Sequence, residues 1–159
     1  MLAPQPQARE DPAAMYKNIL LPTDGSALSA KAVEAGLQLA RLTGARITVL
    51  VAYEPFHVFS LSGDQLEYTP ATYAEHATAD AARILGAVAD KARAMGVTCT
   101  TETRQAEQPY KAIIEAAEVN GCDLVVMGSH GRRGMAALVL GSVTVEVLTH
   151  STVPVLVYR

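Results

Sequence analysis

The segment from Gly128 to Thr144, GSHGRRGMAALVLGSVT, carries the residues of this sequence best suited to chemistry. Gly128, Gly131 and Gly134 fall within seven residues, and Gly141 stands directly before Ser142 at a helix start. Glycines let backbone N–H groups turn toward a ligand with no side chain in the way, which suits phosphate oxygens. Gly141, Ser142 and Val143 would add the free amides and positive dipole end of the helix, and the Ser142 and Thr144 hydroxyls could add hydrogen bonds. Arg132 and Arg133 supply charge where either folds inward. His130 lies inside the turn, where it could donate to a phosphate or simply face solvent. The chemistry is anion binding, and the plain alternative for the glycines alone is a long turn with a serine N-cap.

Other chemistries find less support. The P-loop pattern GxxxxGK[ST] is absent, and the turn PTDGSALS has one glycine where a dinucleotide fingerprint has three. Neither Ser129 nor Ser142 has a histidine and a carboxylate placed by a recognised motif, so no catalytic residue is assigned. His57, His76 and His150 show no metal spacing and read as surface residues, while Cys99 and Cys122 read as core thiols. The formal net charge of −3 gives no basic field to attract nucleic acid or an anionic membrane. The apolar runs fall short of the roughly 20 residues a membrane span needs. The expectation is a soluble, cytoplasmic, single-domain protein over residues 15–159, behind a flexible N-terminal leader, residues 1–14, with three prolines and no apolar signal region.

The elements that must position the glycine segment alternate between short β-branched runs and longer helical patterns, as in a parallel sheet covered on both faces. Strands are expected at Lys17–Leu21, Arg46–Ala52, Val97–Thr103, Asp123–Met127 and Val153–Tyr158. Ala30, Val33, Leu37 and Ala40 mark the inward face of a first helix, with Ser26 as N-cap and Gly44 as its left-handed stop. A second helix opens at Thr69-Pro70 and ends at Gly96, with Tyr73, Ala77, Ala81, Ile84, Leu85, Val88, Ala92 and Met95 as its stripe. A third opens at Pro109, with Ile113, Ile114 and Ala117 inward, and closes at Asn120-Gly121; a fourth runs from Ser142 to His150. Right-handed crossovers then give an open five-stranded parallel sheet of order 3-2-1-4-5, a Rossmann-like α/β fold, with strands one and four flanking the switch point where ligands bind. The stretch from Tyr53 to Tyr68 has no clear period and reads as a long excursion beside the cleft.

The spacing Gly128-x2-Gly131-x9-Gly141-Ser142 closely resembles the ATP-binding motif of the nucleotide-binding branch of the universal stress proteins. The resemblance extends from Tyr16 to Tyr158 through YKNILLPTDGS, VMGSHGRRG, GSVTVEVL and VPVLVY. It implies five parallel strands, dimerisation and an adenine nucleotide, ATP or another, as ligand. Asp24 then matches the family aspartate beside adenine and ribose, with Pro22 and Thr23 on the same wall. Ala52 stands where a larger aliphatic residue usually covers the adenine. The nucleotide-binding set is Pro22, Thr23, Asp24, Ala52, Met127, Gly128, Ser129, His130, Gly131, Arg132, Arg133, Gly134, Gly141, Ser142, Val143 and Thr144. Asp24 could also cap the helix that follows it.

The function implied is an ATP-binding stress-response sensor or switch, read by a regulatory protein partner. Mg2+ or Mn2+ would accompany the nucleotide, and the alternatives are a nucleotide-independent dimeric scaffold and a slow ATP hydrolase, in which such an ion could orient a water. The closing strand is apolar on both sides although the order puts it at a sheet edge, so a homodimer through that strand is expected.

Overall fold

The structure is a computed structural model that describes residues 15–57, 69–132 and 140–159. The expected leader, residues 1–14, lies outside them, as do Phe59 and Leu61 of the expected excursion. Five strands, β1 (Asn18–Pro22), β2 (Arg46–Tyr53), β3 (Cys99–Gln105), β4 (Leu124–Gly128) and β5 (Val155–Tyr158), alternate with helices α1 (Ala27–Thr43), α2 (Pro70–Ala94), α3 (Pro109–Val119) and α4 (Ser142–His150). All pairings are parallel and the order is β3-β2-β1-β4-β5, as expected.

Strand residues feed the two faces in turn, because successive side chains point to opposite sides. Ile19, Leu21, Ile47, Val49, Val51, Leu124 and Val126 pack under α1 and α2. Leu20, Leu50, Val125 and Met127 pack with Ile113, Ala116, Ala117 and Val147 of α3 and α4. β1 and β4 are buried along their whole length. Apolar runs without alternation therefore mark the centre of the sheet.

The helix signals hold in detail. The Ser26 hydroxyl caps α1 by accepting from the Ser29 N–H, and Gly44 ends it at φ 74°. Thr69 and Thr72 form a reciprocal capping box ahead of Pro70. Ala30, expected inward, is exposed, and Ser29 takes the buried position instead. Burial of that serine is tolerated because its hydroxyl meets Thr23 Oγ1 at 2.9 Å and the Ser26 carbonyl at 3.1 Å. Cys122 is buried as expected, whereas Cys99 lies half-buried on the edge strand β3.

Four expected strand starts, Lys17, Val97, Asp123 and Val153, were set one or two residues too early, since β1, β3, β4 and β5 begin at Asn18, Cys99, Leu124 and Val155. β3 begins at Cys99 rather than Val97, because Val97 belongs to the stop of α2: its N–H donates to the Ala92 carbonyl at 2.9 Å and that of Gly96 to the Arg93 carbonyl at 3.1 Å. β4 begins at Leu124 rather than Asp123, whose carboxylate accepts from the Lys17 and Asn18 amides at 2.8 and 3.1 Å and ties the strand's start to β1.

Candidate functional site

A cleft of about 530 Å³ opens at the carboxyl ends of β1, β2 and β4, where the sheet order reverses. Its floor is laid by the turn after β1. There the Thr23 N–H extends the ladder to the Leu50 carbonyl at 2.9 Å, and Thr23 Oγ1 accepts from the Gly25 N–H at 3.2 Å. Gly25 takes φ 77°, a conformation that favours glycine, and a Cβ there would crowd the tip of the Ile84 side chain.

Asp24 joins this turn to the glycine segment. One carboxylate oxygen accepts from the Ser26 N–H at 2.9 Å and the other from the Arg132 N–H at 2.8 Å. Burial raises the Asp24 carboxyl, but hydrogen bonds from Ser26, Arg132 and Ser29 outweigh it and hold the group below the usual carboxylate range. Asp24 is therefore a buttress of the α1 start, and the cap itself is Ser26. A Cβ on Gly131 would collide with Asp24 Oδ2, so glycine at 131 makes room for this carboxylate.

The glycine segment is pinned at both ends. The Ser129 N–H donates to the Tyr158 carbonyl and the Gly141 N–H to the Ser129 carbonyl, both at 2.8 Å. The buried Thr144 hydroxyl donates to the Gly128 carbonyl at 3.1 Å. These bonds correct two expectations: the Gly141 amide is engaged within the protein, and the Thr144 hydroxyl keeps only its acceptor side for a ligand. Gly141 is the N-cap of α4 and among the described residues no side chain caps the helix, which leaves the first-turn amides from Ser142 to Thr144 beside the cleft these residues line.

Of the candidate residues, Pro22, Thr23, Asp24, Ala52, Met127, Gly128, His130, Gly131, Arg132, Gly141, Ser142, Val143 and Thr144 line the cleft together. Ser129 is buried behind it and its hydroxyl lies 3.2 Å from His130 Nδ1. Arg133 and Gly134 fall outside the described residues. The Arg132 guanidinium is held by Asp80 of α2 at 2.9 Å.

The cleft also reaches residues the sequence did not single out, among them Tyr53, Glu54, Tyr73, Glu107, Gln108 and Tyr110. Glu107 to Tyr110 follow the carboxyl end of β3, and the strand-end rule applied to that strand would have found them. Tyr73 gave no such signal; its hydroxyl donates to the Glu54 carbonyl at 3.0 Å and its ring meets Phe56 at 5.6 Å. His57 pairs with Glu107 at 3.1 Å. Asp24, Glu54, Glu107 and Glu146 make the described lining predominantly acidic. Among the described residues no group of three or more His, Cys, Asp or Glu could hold a metal ion. No helix of the described residues is long and apolar enough to cross a membrane.

Comparison with known proteins agrees with this geometry. The universal stress protein family model matches residues 15–159. Universal stress protein YxiE of Bacillus subtilis is 32% identical over 149 residues, covering 91% of this chain and 100% of the relative. Universal stress protein MJ0531 of Methanocaldococcus jannaschii is 30% identical, covering 91% of this chain and 83% of the relative. Among solved structures, hypothetical protein MJ0577 superposes with a TM-score of 0.76 at 26% identity, covering 91% of this chain and 96% of that one. A universal stress protein in complex with cAMP superposes with a TM-score of 0.67 at 29% identity, covering 91% and 97%.

Proposed function

This chain belongs to the universal stress protein family, and we propose that it is a regulatory protein that binds ATP or another adenine nucleotide in the cleft beside Asp24. The observation that carries this reading is the junction of three parts in one cleft. They are the Asp24-buttressed turn, the glycine segment, and the uncapped start of α4. The base would lie against Pro22 and Ala52 with Asp24 toward the ribose. The phosphates would lie at the first-turn amides of α4, an arrangement that needs no side-chain cation. The cAMP-bound relative supports an adenine nucleotide as the ligand class. The acidic lining supports a divalent ion, Mg2+ or Mn2+, as companion of a triphosphate. In this reading occupancy of the cleft is the signal, a homodimer formed through β5 displays it, and a protein partner reads it.

Two measurements test the reading. Acid release of small molecules from the purified protein, followed by chromatography, should yield an adenine nucleotide. Mg-ATP should raise the unfolding temperature more than Mg-GTP does, because a ligand selective for the folded state stabilises it by mass action. Equal shifts with both, or none with either and no released nucleotide, would favour a nucleotide-independent interaction protein instead.

A further inference from the structure

Arg132 stands at the cleft with its backbone and side chain held by different carboxylates. The backbone N–H is fixed to Asp24 at 2.8 Å, while the guanidinium reaches away to Asp80 on α2 at 2.9 Å. The second bond is the weaker hold. Both side chains are well exposed, Arg132 at 55% and Asp80 at 38%, and exposed ion pairs contribute little because water screens them and two long side chains must be ordered. Asp80 has a second cation, the Arg83 guanidinium, at 2.6 Å. It would stay paired if Arg132 left. A phosphate, by contrast, offers a guanidinium charge-assisted, bidentate bonds stronger than those of a solvated surface pair.

We infer that Asp80 is a competing counter-ion that holds the Arg132 side chain off the phosphates in the free protein and yields it when a nucleotide binds. The exchange couples occupancy of the cleft to α2, since one arginine cannot serve both anions in the same geometry. It also sets affinity: binding must first break the Arg132–Asp80 pair, and removal of Asp80 lifts that penalty. The inference rests on the cleft being a nucleotide site, and it assigns to Asp80 a role in tuning affinity from outside the cleft.

Calorimetric titration of the whole chain with AMP and with Mg-ATP tests it in four forms: parent, Asp80→Asn, Arg132→Gln and the double variant. Asp80→Asn should tighten binding about two- to fivefold, the range expected for release of an exposed ion pair. Arg132→Gln should weaken it, and in that background Asp80→Asn should have no effect, which a double-mutant cycle reports directly. If Asp80→Asn tightens binding equally in both backgrounds, the effect is the general field of a removed negative charge and the inference fails. If Asp80→Asn alone leaves affinity unchanged or weaker while circular dichroism shows a native fold, the pair is only a staple and the inference also fails. A parent that binds neither AMP nor Mg-ATP overturns the nucleotide reading and this inference with it.

Discussion

Asp24 accepts a hydrogen bond at each carboxylate oxygen, and the two donors, the Ser26 and Arg132 amides, lie 106 residues apart in the chain, at the start of α1 and in the glycine turn. An asparagine could accept only at one of these oxygens, since its other end is a donor. Asp24→Asn should therefore cost about 1.5 kcal/mol of stability near neutral pH, the low end of the range for a hydrogen bond to a charged group because the site is only part-buried. The pH dependence follows from the lowered value of the carboxyl. A group whose folded value lies below its unfolded value stabilises the protein above the unfolded value, about 3.9 for aspartate. That stabilisation is lost as pH falls through the folded value. Urea midpoints of the parent and Asp24→Asn should thus differ by a constant amount from pH 8 to 5 and converge on further acidification. A difference that persists to pH 2 would show that the carboxylate charge is not what ties the two segments. Asp24 was legible in the sequence as a site residue, but its bond to the Arg132 amide was not. That bond depends on where the glycine turn returns, and no local pattern encodes it.

Helix ends hold most of what the sequence made plain about the elements, because caps are local. Ser26, Thr69, Pro109 and Gly141 mark starts, and Gly44, Gly96 and Gly121 mark stops with φ of 74°, 71° and 60°. Strand starts were less legible for the same reason. Val97 is apolar because it follows a glycine stop and folds back on its helix, donating to Ala92 at 2.9 Å. An apolar residue in that place looks like the start of a strand. The uncapped start of α4 offers a test at this scale. Gly141 lies at φ −63°, ψ 150°, a conformation that a following proline accepts, and proline is tolerated at the first helical position. Ser142→Pro should remove one amide from the cleft and leave the helix intact. Ser142→Ala, which removes only the hydroxyl, serves as control. Nucleotide affinity should fall about tenfold in the proline variant, as expected for loss of one bond to a charged oxygen, and much less in the alanine variant. If both variants bind alike and unfold at the parent temperature, the phosphates lie away from α4.

The two edges of the sheet differ in a way that bears on assembly. β3 presents Thr101, Glu102, Thr103, Arg104 and Gln105, and charged residues of this kind discourage edge-to-edge pairing. β5 is VLVY, with Leu156 exposed at 46% and Tyr158 at 37%, and α4 adds exposed Val145 and Leu148 beside it. Apolar surface thus flanks this edge on both faces of the sheet, and among the described residues no strand pairs with its outer side. A second copy related by a two-fold axis would cover both edges at once, since an isologous contact uses the same patch twice. The choice of substitution matters. Val155 packs into the core beneath α3 and α4, so a charge there would damage the protomer as well as the contact. Leu156 points to the other face and is free of that objection. Leu156→Asp should leave the protomer folded and put a carboxylate into the apolar contact that a second copy would make at this edge. A buried unpaired charge costs about 3 kcal/mol or more, so the dimer dissociation constant should rise about a hundredfold or more. Light scattering at micromolar concentration should find the parent as a dimer and Leu156→Asp as a monomer, with circular dichroism unchanged. A parent that runs as a stable monomer, or a variant that stays a dimer, would place the interface elsewhere and leave the apolar character of β5 to another partner.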